Sequence, residues 1–157
     1  MGVQTKTSIS EAAEKRAASH GVKVKRGQLN AVQRGCYGTG PAPFGYVRTS
    51  DGKRSLEVND IEAEIVRRIF RDYLRVKSTG KVVKMLNSEK IQTRKGNLWS
   101  RQAISIILTN RTYRGRVRYG DLDIRGQHEP IVEASVFYKA NVLKRRRSRA
   151  RKRAEAT

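Results

Sequence analysis

MLNSEKIQTRKGNLWSRQAISIILTNRTYRG, residues Met85 to Gly115, is the stretch that decides the fold. Its first residues close a helix whose inward positions are Val82, Val83 and Leu86 and which ends near Asn87. Ile91 to Trp99 follows, with Lys95-Gly96-Asn97 as a tight-turn signal between short extended segments. Ser100 then stands as N-cap before RQAISIILTN, a third helix. From Arg114 to Ile124 apolar and polar residues alternate about Gly120-Asp121, the signature of a β-hairpin. Helix, turn, helix and hairpin in that order predict a mostly α domain with a small β-hairpin, a helix-turn-helix-like arrangement.

On a wheel of 100° per residue, Ala103, Ile104, Ile107 and Leu108 gather on one side of the third helix. Arg101, Gln102, Ser105 and Thr109 gather on the other, with Ile106 at the boundary. The outward set is short, polar and uncharged except for Arg101. It suits a major groove, where Arg pairs with guanine and Gln with adenine. The same pattern by itself also fits an ordinary amphipathic surface helix.

Charge tips the balance. Thirty-five Lys and Arg face fourteen Asp and Glu in 157 residues, a formal net charge of +21. Such a chain seeks polyanions, and nucleic acid comes first because its contacts with Lys and Arg release condensed counterions. Arg94, Lys95 and Arg111 flank the third helix and are candidate phosphate contacts, which position without specifying.

Working outward, Asn59 or Asp60 caps the strongest helix. Ile65, Val66, Ile69, Phe70, Tyr73 and Leu74 recur there at helical spacing, with Arg67, Arg68, Arg71 and Arg75 on the other face. Ser78 or Thr79 caps the helix that ends near Asn87. Upstream, Ser8 and Glu11 have capping-box spacing, and ISEAAEKRAASHG reads as a helix that stops at Gly21. Gly21 to Gly40 holds five glycines and Lys23, Lys25, Arg26 and Arg34, so residues 22–42 read as an extended basic arm able to follow a minor groove. Downstream, HEPIV leads into a last helix with Val136, Phe137, Ala140, Val142 and Leu143. Residues 144–157 form a polybasic tail, disordered or conditionally helical, and eight of the ten side chains from Lys144 to Arg153 are basic. The domain proper spans residues 43–143.

Several function classes drop out. No apolar run approaches the ~18 residues of a spanning helix, so a membrane partner is not expected. Cys36 is the only cysteine, and His20 and His128 lack an acidic or thiol cluster, so neither a metal nor a cofactor is expected. There is no GxxxxGK[ST] or GxGxxG loop for nucleotide phosphates. A reducing, cytoplasmic setting fits best.

PFGY (Pro43–Tyr46), LEVNDIEAEIVRRIF, the spaced Leu86-Asn87, Gly96, Trp99-Ser100, Ile107-Leu108, Asn110, Tyr113 and Gly115, and HEPIV resemble, in that order, the recombinase domain of large serine recombinases, the phage integrase and resolvase type. The resemblance covers about residues 35–145. It implies a DNA-binding module that occupies part of an attachment or resolution half-site on double-stranded DNA. It also implies that residues 1–21 are a remnant of the helix linking the family's catalytic domain to its DNA-binding part. Only some forty residues precede PFGY, so the expectation is a DNA-binding chain without its own strand-cleaving domain, with a separate chain as a candidate carrier of the catalytic serine.

One motif competes with this. Tyr46, Arg48 and Ser50 form Tyr-x-Arg-x-Ser, which in that family surrounds the catalytic serine. Attack on a phosphodiester needs several arginines around the scissile phosphate and a scaffold to hold them. Asp51-Gly52 and a charged loop follow instead, so no catalytic residue is expected. The rival classes are a transcriptional or architectural factor reusing the module, an enzyme acting through Ser50, and an RNA-binding basic protein.

Overall fold

The computed structural model describes residues 20–38, 40–50 and 55–156. Residues 20–33 are helical (α1). Two short strands follow, β1 (Tyr46–Arg48) and β2 (Leu56–Val58), then α2 (Asp60–Val76), α3 (Thr79–Ser88) and α4 (Arg101–Thr109). A 3-10 turn at Arg111–Arg114 leads to β3 (Arg116–Tyr119) and β4 (Leu122–Arg125), and α5 (Ala134–Glu155) closes the chain. Among the described residues the strands form two separate antiparallel ribbons, Tyr46 opposite Val58 in one and Tyr119 opposite Leu122 in the other.

The helix starts are those expected from composition. The Asn59 side chain accepts from the Glu62 amide at 3.2 Å, ahead of the acidic first turn of α2. Ser78 accepts from Lys81 at 3.4 Å and Ser100 from Ala103 at 3.1 Å. α2 is the central element and touches α3, α4 and α5. Its apolar stripe, Ala63, Val66, Ile69, Phe70 and Tyr73, is buried against Val82 and Leu86 of α3, Ile104, Ile107 and Leu108 of α4, and Phe137 and Ala140 of α5. Each large aliphatic or aromatic side chain removed from water there contributes about 1.5–3 kcal/mol before entropy is counted.

PFGY plugs into this core. The Tyr46 side chain is fully buried, its hydroxyl donates to the Glu129 carbonyl at 2.8 Å, and its ring stacks 6.0 Å from Tyr113. Phe44 meets the edge of Trp99 at 5.1 Å, so Trp99 is a core residue. Gly45 has φ +94°, and a Cβ there would sit 2.8 Å from the Ile131 side chain, so the motif requires glycine.

Four features depart from the sequence expectations. Residues 22–33 are helical rather than extended, and the helix runs through Gly21 instead of ending there. Two glycines cost such a helix only ~1 kcal/mol each, and Ala31 and Val32 repay this by docking into the domain. The true stop is Gly35. The Cys36 amide bonds back to Ala31 at 3.0 Å and the Gly35 amide to Val32 at 2.8 Å, a Schellman closure with Gly35 at φ +76°. Second, the last residue of PFGY starts β1, which pairs with β2 before the first long helix, and three-residue strands are too short to leave a periodic signal. Third, Ile91 to Trp99 contains no strand. The Asn87 side chain holds it instead, accepting from the Trp99 amide at 2.9 Å and donating to the Trp99 carbonyl at 3.1 Å. Fourth, Val142, grouped with the apolar residues of the last helix, stays about half exposed; α5 itself runs through the polybasic stretch to Glu155, the helical one of the two alternatives for it, with no glycine or proline to stop it. The helix expected before His20 lies outside the described residues. No described helix is long and apolar enough to cross a membrane.

Candidate nucleic-acid interface

α4 presents two faces. Ile104, Ile107 and Leu108 are buried, whereas Arg101, Gln102, Ile106 and Thr109 are exposed and Ser105 is half-buried. The sequence wheel placed these correctly except for Ile106, which is 56% exposed and belongs to the outward face. Arg101 lies across the start of α3. Its Nε is 3.1 Å from where a Cβ on Gly80 would be, so the missing side chain at Gly80 makes the space it occupies. Arg101 has no hydrogen-bond or ion-pair partner among the described residues, so its guanidinium donors are free for an external acceptor.

At its C-terminal end the outward face of α4 opens into a basic groove of about 470 Å3 lined by Thr109, Arg111, Arg118, Tyr138, Lys144 and Arg145. Lys144 crosses from α5 to donate to the Ser105 carbonyl at 3.2 Å, and partial burial lowers its pKa. Asp123 sits beside this groove and gathers arginines: Arg111 in a close ion pair, Arg116 at 2.9 Å and Arg114 at 3.7 Å. Burial pushes the Asp123 carboxyl up, but the hydrogen bonds from Arg116 and Arg111 outweigh it and hold the group below its usual range. One anion against three cations keeps the arginines ordered while leaving the site strongly positive.

Charge is distributed unevenly between the faces. The arginines of α2 are occupied: Arg68 bridges Glu89 at 2.6 Å and Asp72 at 3.2 Å, Arg75 bonds Asp72 at 3.0 Å, and Arg67 bonds Glu64 at 3.3 Å. α4 has no acidic residue, and Glu155 is the only one in α5. Of these three helices, α4 and α5 therefore present the unneutralised positive surface, and α2 does not.

The sequence candidates separate accordingly. Arg101, Gln102, Ser105, Thr109 and Arg111 come together along α4 and its exit. Arg94 does not join them. Its Nε donates to Glu62 at 2.8 Å, and its terminal nitrogens donate to the carbonyls of Ala42 at 3.1 Å and Tyr46 at 2.7 Å and to the other Glu62 oxygen. Arg94 is an internal clamp whose donors are spent on the protein. Lys95 is exposed in the turn before α4. Lys25 and Arg26 are exposed on α1, and Arg34 lies at its end, where its carbonyl accepts from the Gln127 side chain at 2.7 Å.

Arg118, Tyr138, Lys144 and Arg145 were missed as a group, because two elements distant in sequence, β3 and α5, bring them together. The alternation of Arg116 and Arg118 on β3 was the available clue. In Tyr-x-Arg-x-Ser, Arg48 is also committed internally, donating to Gly38 at 3.0 Å and Gly40 at 2.6 Å and lying 5.3 Å over the Tyr37 ring. Ser50 is exposed at the end of that ribbon. Among the described residues no group of three or more His, Cys, Asp or Glu is placed to hold a metal.

Comparison with known proteins agrees with this architecture. The family model described as Recombinase matches residues 60–147. A protein of Bacillus subtilis (strain 168) described as "Putative DNA recombinase" is 29% identical over 112 residues, 68% of this chain and 22% of its own length. A solved structure described as "Crystal Structure of a LSR-DNA Complex" superposes with a TM-score of 0.68 at 24% identity, covering 77% of this chain and 38% of that one. Another, described as "Sequence Requirements of the Listeria innocua prophage attP site", gives 0.69 at 23% identity, covering 79% and 52%. The chain thus spans about a fifth of the length of its curated relative and between about two fifths and one half of these solved chains. The fold, and a family match running from the first turn of α2 into the basic part of α5, make this chain a member of the Recombinase family.

Proposed function

We propose that this region binds double-stranded DNA sequence-specifically in site-specific recombination, at an attachment or resolution half-site. In this account α4 enters the major groove. Arg101 and Gln102 meet base edges, and Arg111, Arg118, Lys144 and Arg145 hold phosphates at its C-terminal side. The carrying observation is the outward face of α4: an unpaired Arg101 beside exposed Gln102, continuous with a basic groove and free of acidic side chains.

The described residues bind rather than cut. Among the described residues, the arginine of the Tyr-x-Arg-x-Ser motif, Arg48, is held by glycine carbonyls rather than offered to a phosphate at Ser50. Strand cleavage then belongs to a catalytic serine recombinase domain, in the same polypeptide or in a separate chain, and the protein acts at the nucleoid. Helical residues 22–33 do not suit a minor groove. Lys25 and Arg26 are assigned to phosphates along α1 instead, and Lys95 to a phosphate at the start of α4.

Selection from random duplexes followed by footprinting tests this reading. It predicts a defined protected site whose affinity falls steeply with salt. Equal affinity for every duplex, or preference for structured RNA, would overturn it.

A further inference from the structure

We infer that Ile106 is a specificity residue that reads the C5-methyl group of thymine in the target DNA. This inference rests on the reading that α4 lies in the major groove. Ile106 shares one ridge of α4 with Gln102, four residues before it, and Thr109, three after. The Thr109 hydroxyl is turned back onto the helix, donating to the Ser105 carbonyl at 2.9 Å and the Ile106 carbonyl at 3.2 Å. Its methyl group is then what remains for an external contact. From one end to the other the ridge offers a carboxamide, a branched alkyl group and a methyl group.

A lone exposed isoleucine is ordinary on a protein surface. Ile61 and Leu98 are more exposed, at 80% and 67%, but they stand in the first turn of α2 and in the turn before Trp99. What distinguishes Ile106 is its position. It stands at the centre of an otherwise polar face, between Gln102 and the groove of Arg111 and Lys144. A surface that only hydrogen-bonds to bases has no use for an alkyl group there. The major groove offers one apolar feature on a base edge, the thymine methyl, and cytosine lacks it. Ile106 therefore selects thymine over cytosine at one base pair, while Arg101 and Gln102 select by hydrogen bonding at neighbouring pairs.

The test uses the full chain and the duplex recovered by selection. Each thymine in turn is replaced by deoxyuridine, which removes the methyl and leaves every hydrogen-bonding group in place. At one or two positions the wild-type protein should bind about four-fold more weakly, the factor that burial of one methyl-sized group supplies. Ile106→Ala, confirmed folded by thermal denaturation, should bind thymine and uracil equally at those positions. Unchanged wild-type affinity at every uracil position overturns the inference, as does a full uracil penalty retained in Ile106→Ala. Both results would leave sequence-specific binding intact. A selection that enriches no sequence overturns the functional reading and this inference together.

Discussion

Arg94 and Glu62 are joined by two hydrogen bonds from one guanidinium to one carboxylate, and the second carboxylate oxygen also accepts the Gly45 amide at 2.8 Å. This pair ties the turn before α4 to the first turn of α2 and to PFGY. Burial pushes the Glu62 carboxyl up, but the bonds from Arg94 and Gly45 prevail and its pKa lies below the ordinary value. A depressed carboxylate stabilises the fold above its unfolded pKa and loses that contribution as pH falls through the folded one. Arg94→Ala should therefore cost ~1–3 kcal/mol at neutral pH, because it strands Glu62 and the carbonyls of Ala42 and Tyr46. It should also reduce the sensitivity of the fold to acid below about pH 4.5. Urea denaturation at two pH values checks both. Unchanged stability with a shallower salt dependence of DNA binding would mean that Arg94 contacts phosphate after all.

Gly35→Ala should loosen α1 from the domain. Gly35 has φ +76°, and an added Cβ would lie 2.9 Å from the Arg125 carbonyl. Its own carbonyl accepts the Gln127 amide at 2.8 Å, so the strain falls on the contact that docks α1. We expect a loss of about 1–2 kcal/mol and faster amide exchange over residues 28–36, with α4 unaffected. Uniform exchange across the chain would show that the closure matters less than this.

His128 makes the fold sensitive to mild acid. It is buried, its Nε2 donates to the Thr112 carbonyl at 2.7 Å, and its Nδ1 has no partner. Burial lowers its pKa below the ordinary 6.5, and the bond to Thr112 offsets this only in part. Below pH 6.5 the unfolded chain takes up the proton first. Stability should therefore fall as pH drops from 7 to 5. His128→Gln, which cannot titrate, should flatten that decline while lowering overall stability. A parallel decline in both proteins would assign it to other groups.

Much of this was legible in the sequence. Asn59, Ser78 and Ser100 announced their helices because capping is local, and the Gly120-Asp121 hairpin followed from alternation. The buried stripe of α2 followed from its period. What was not legible depends on distant partners. The glycine count of residues 21–40 suggested an extended arm, while the docking of Ala31 and Val32 and the stop at Gly35 decided for a helix. At the site, the outward face of α4 was readable from a wheel. The fate of each flanking arginine was not, because it depends on the distant partners the fold brings: Glu62 and the carbonyls of Ala42 and Tyr46 to Arg94, and Asp123 to Arg111.

Deleting the chain after Leu143 removes Lys144, Arg145 and the rest of the basic part of α5 but keeps Phe137 and Ala140 in the core. Affinity should drop for all duplex sequences alike, and the slope of log affinity against log salt should become shallower by about 0.9 for each lost phosphate contact. An unchanged slope would show that this part of α5 is idle on DNA.

The central claim is that α4 reads base edges, and the most direct measurement compares the sequence preferences of wild-type protein and Arg101→Ala in parallel selections from random duplexes. If Arg101 makes a two-pronged contact with one base, the variant should lose ~1–3 kcal/mol on the preferred site and become indifferent at one base pair while keeping its other preferences. An equal loss on preferred and random DNA, with the recovered motif unchanged, would contradict the account and reduce Arg101 to a phosphate contact.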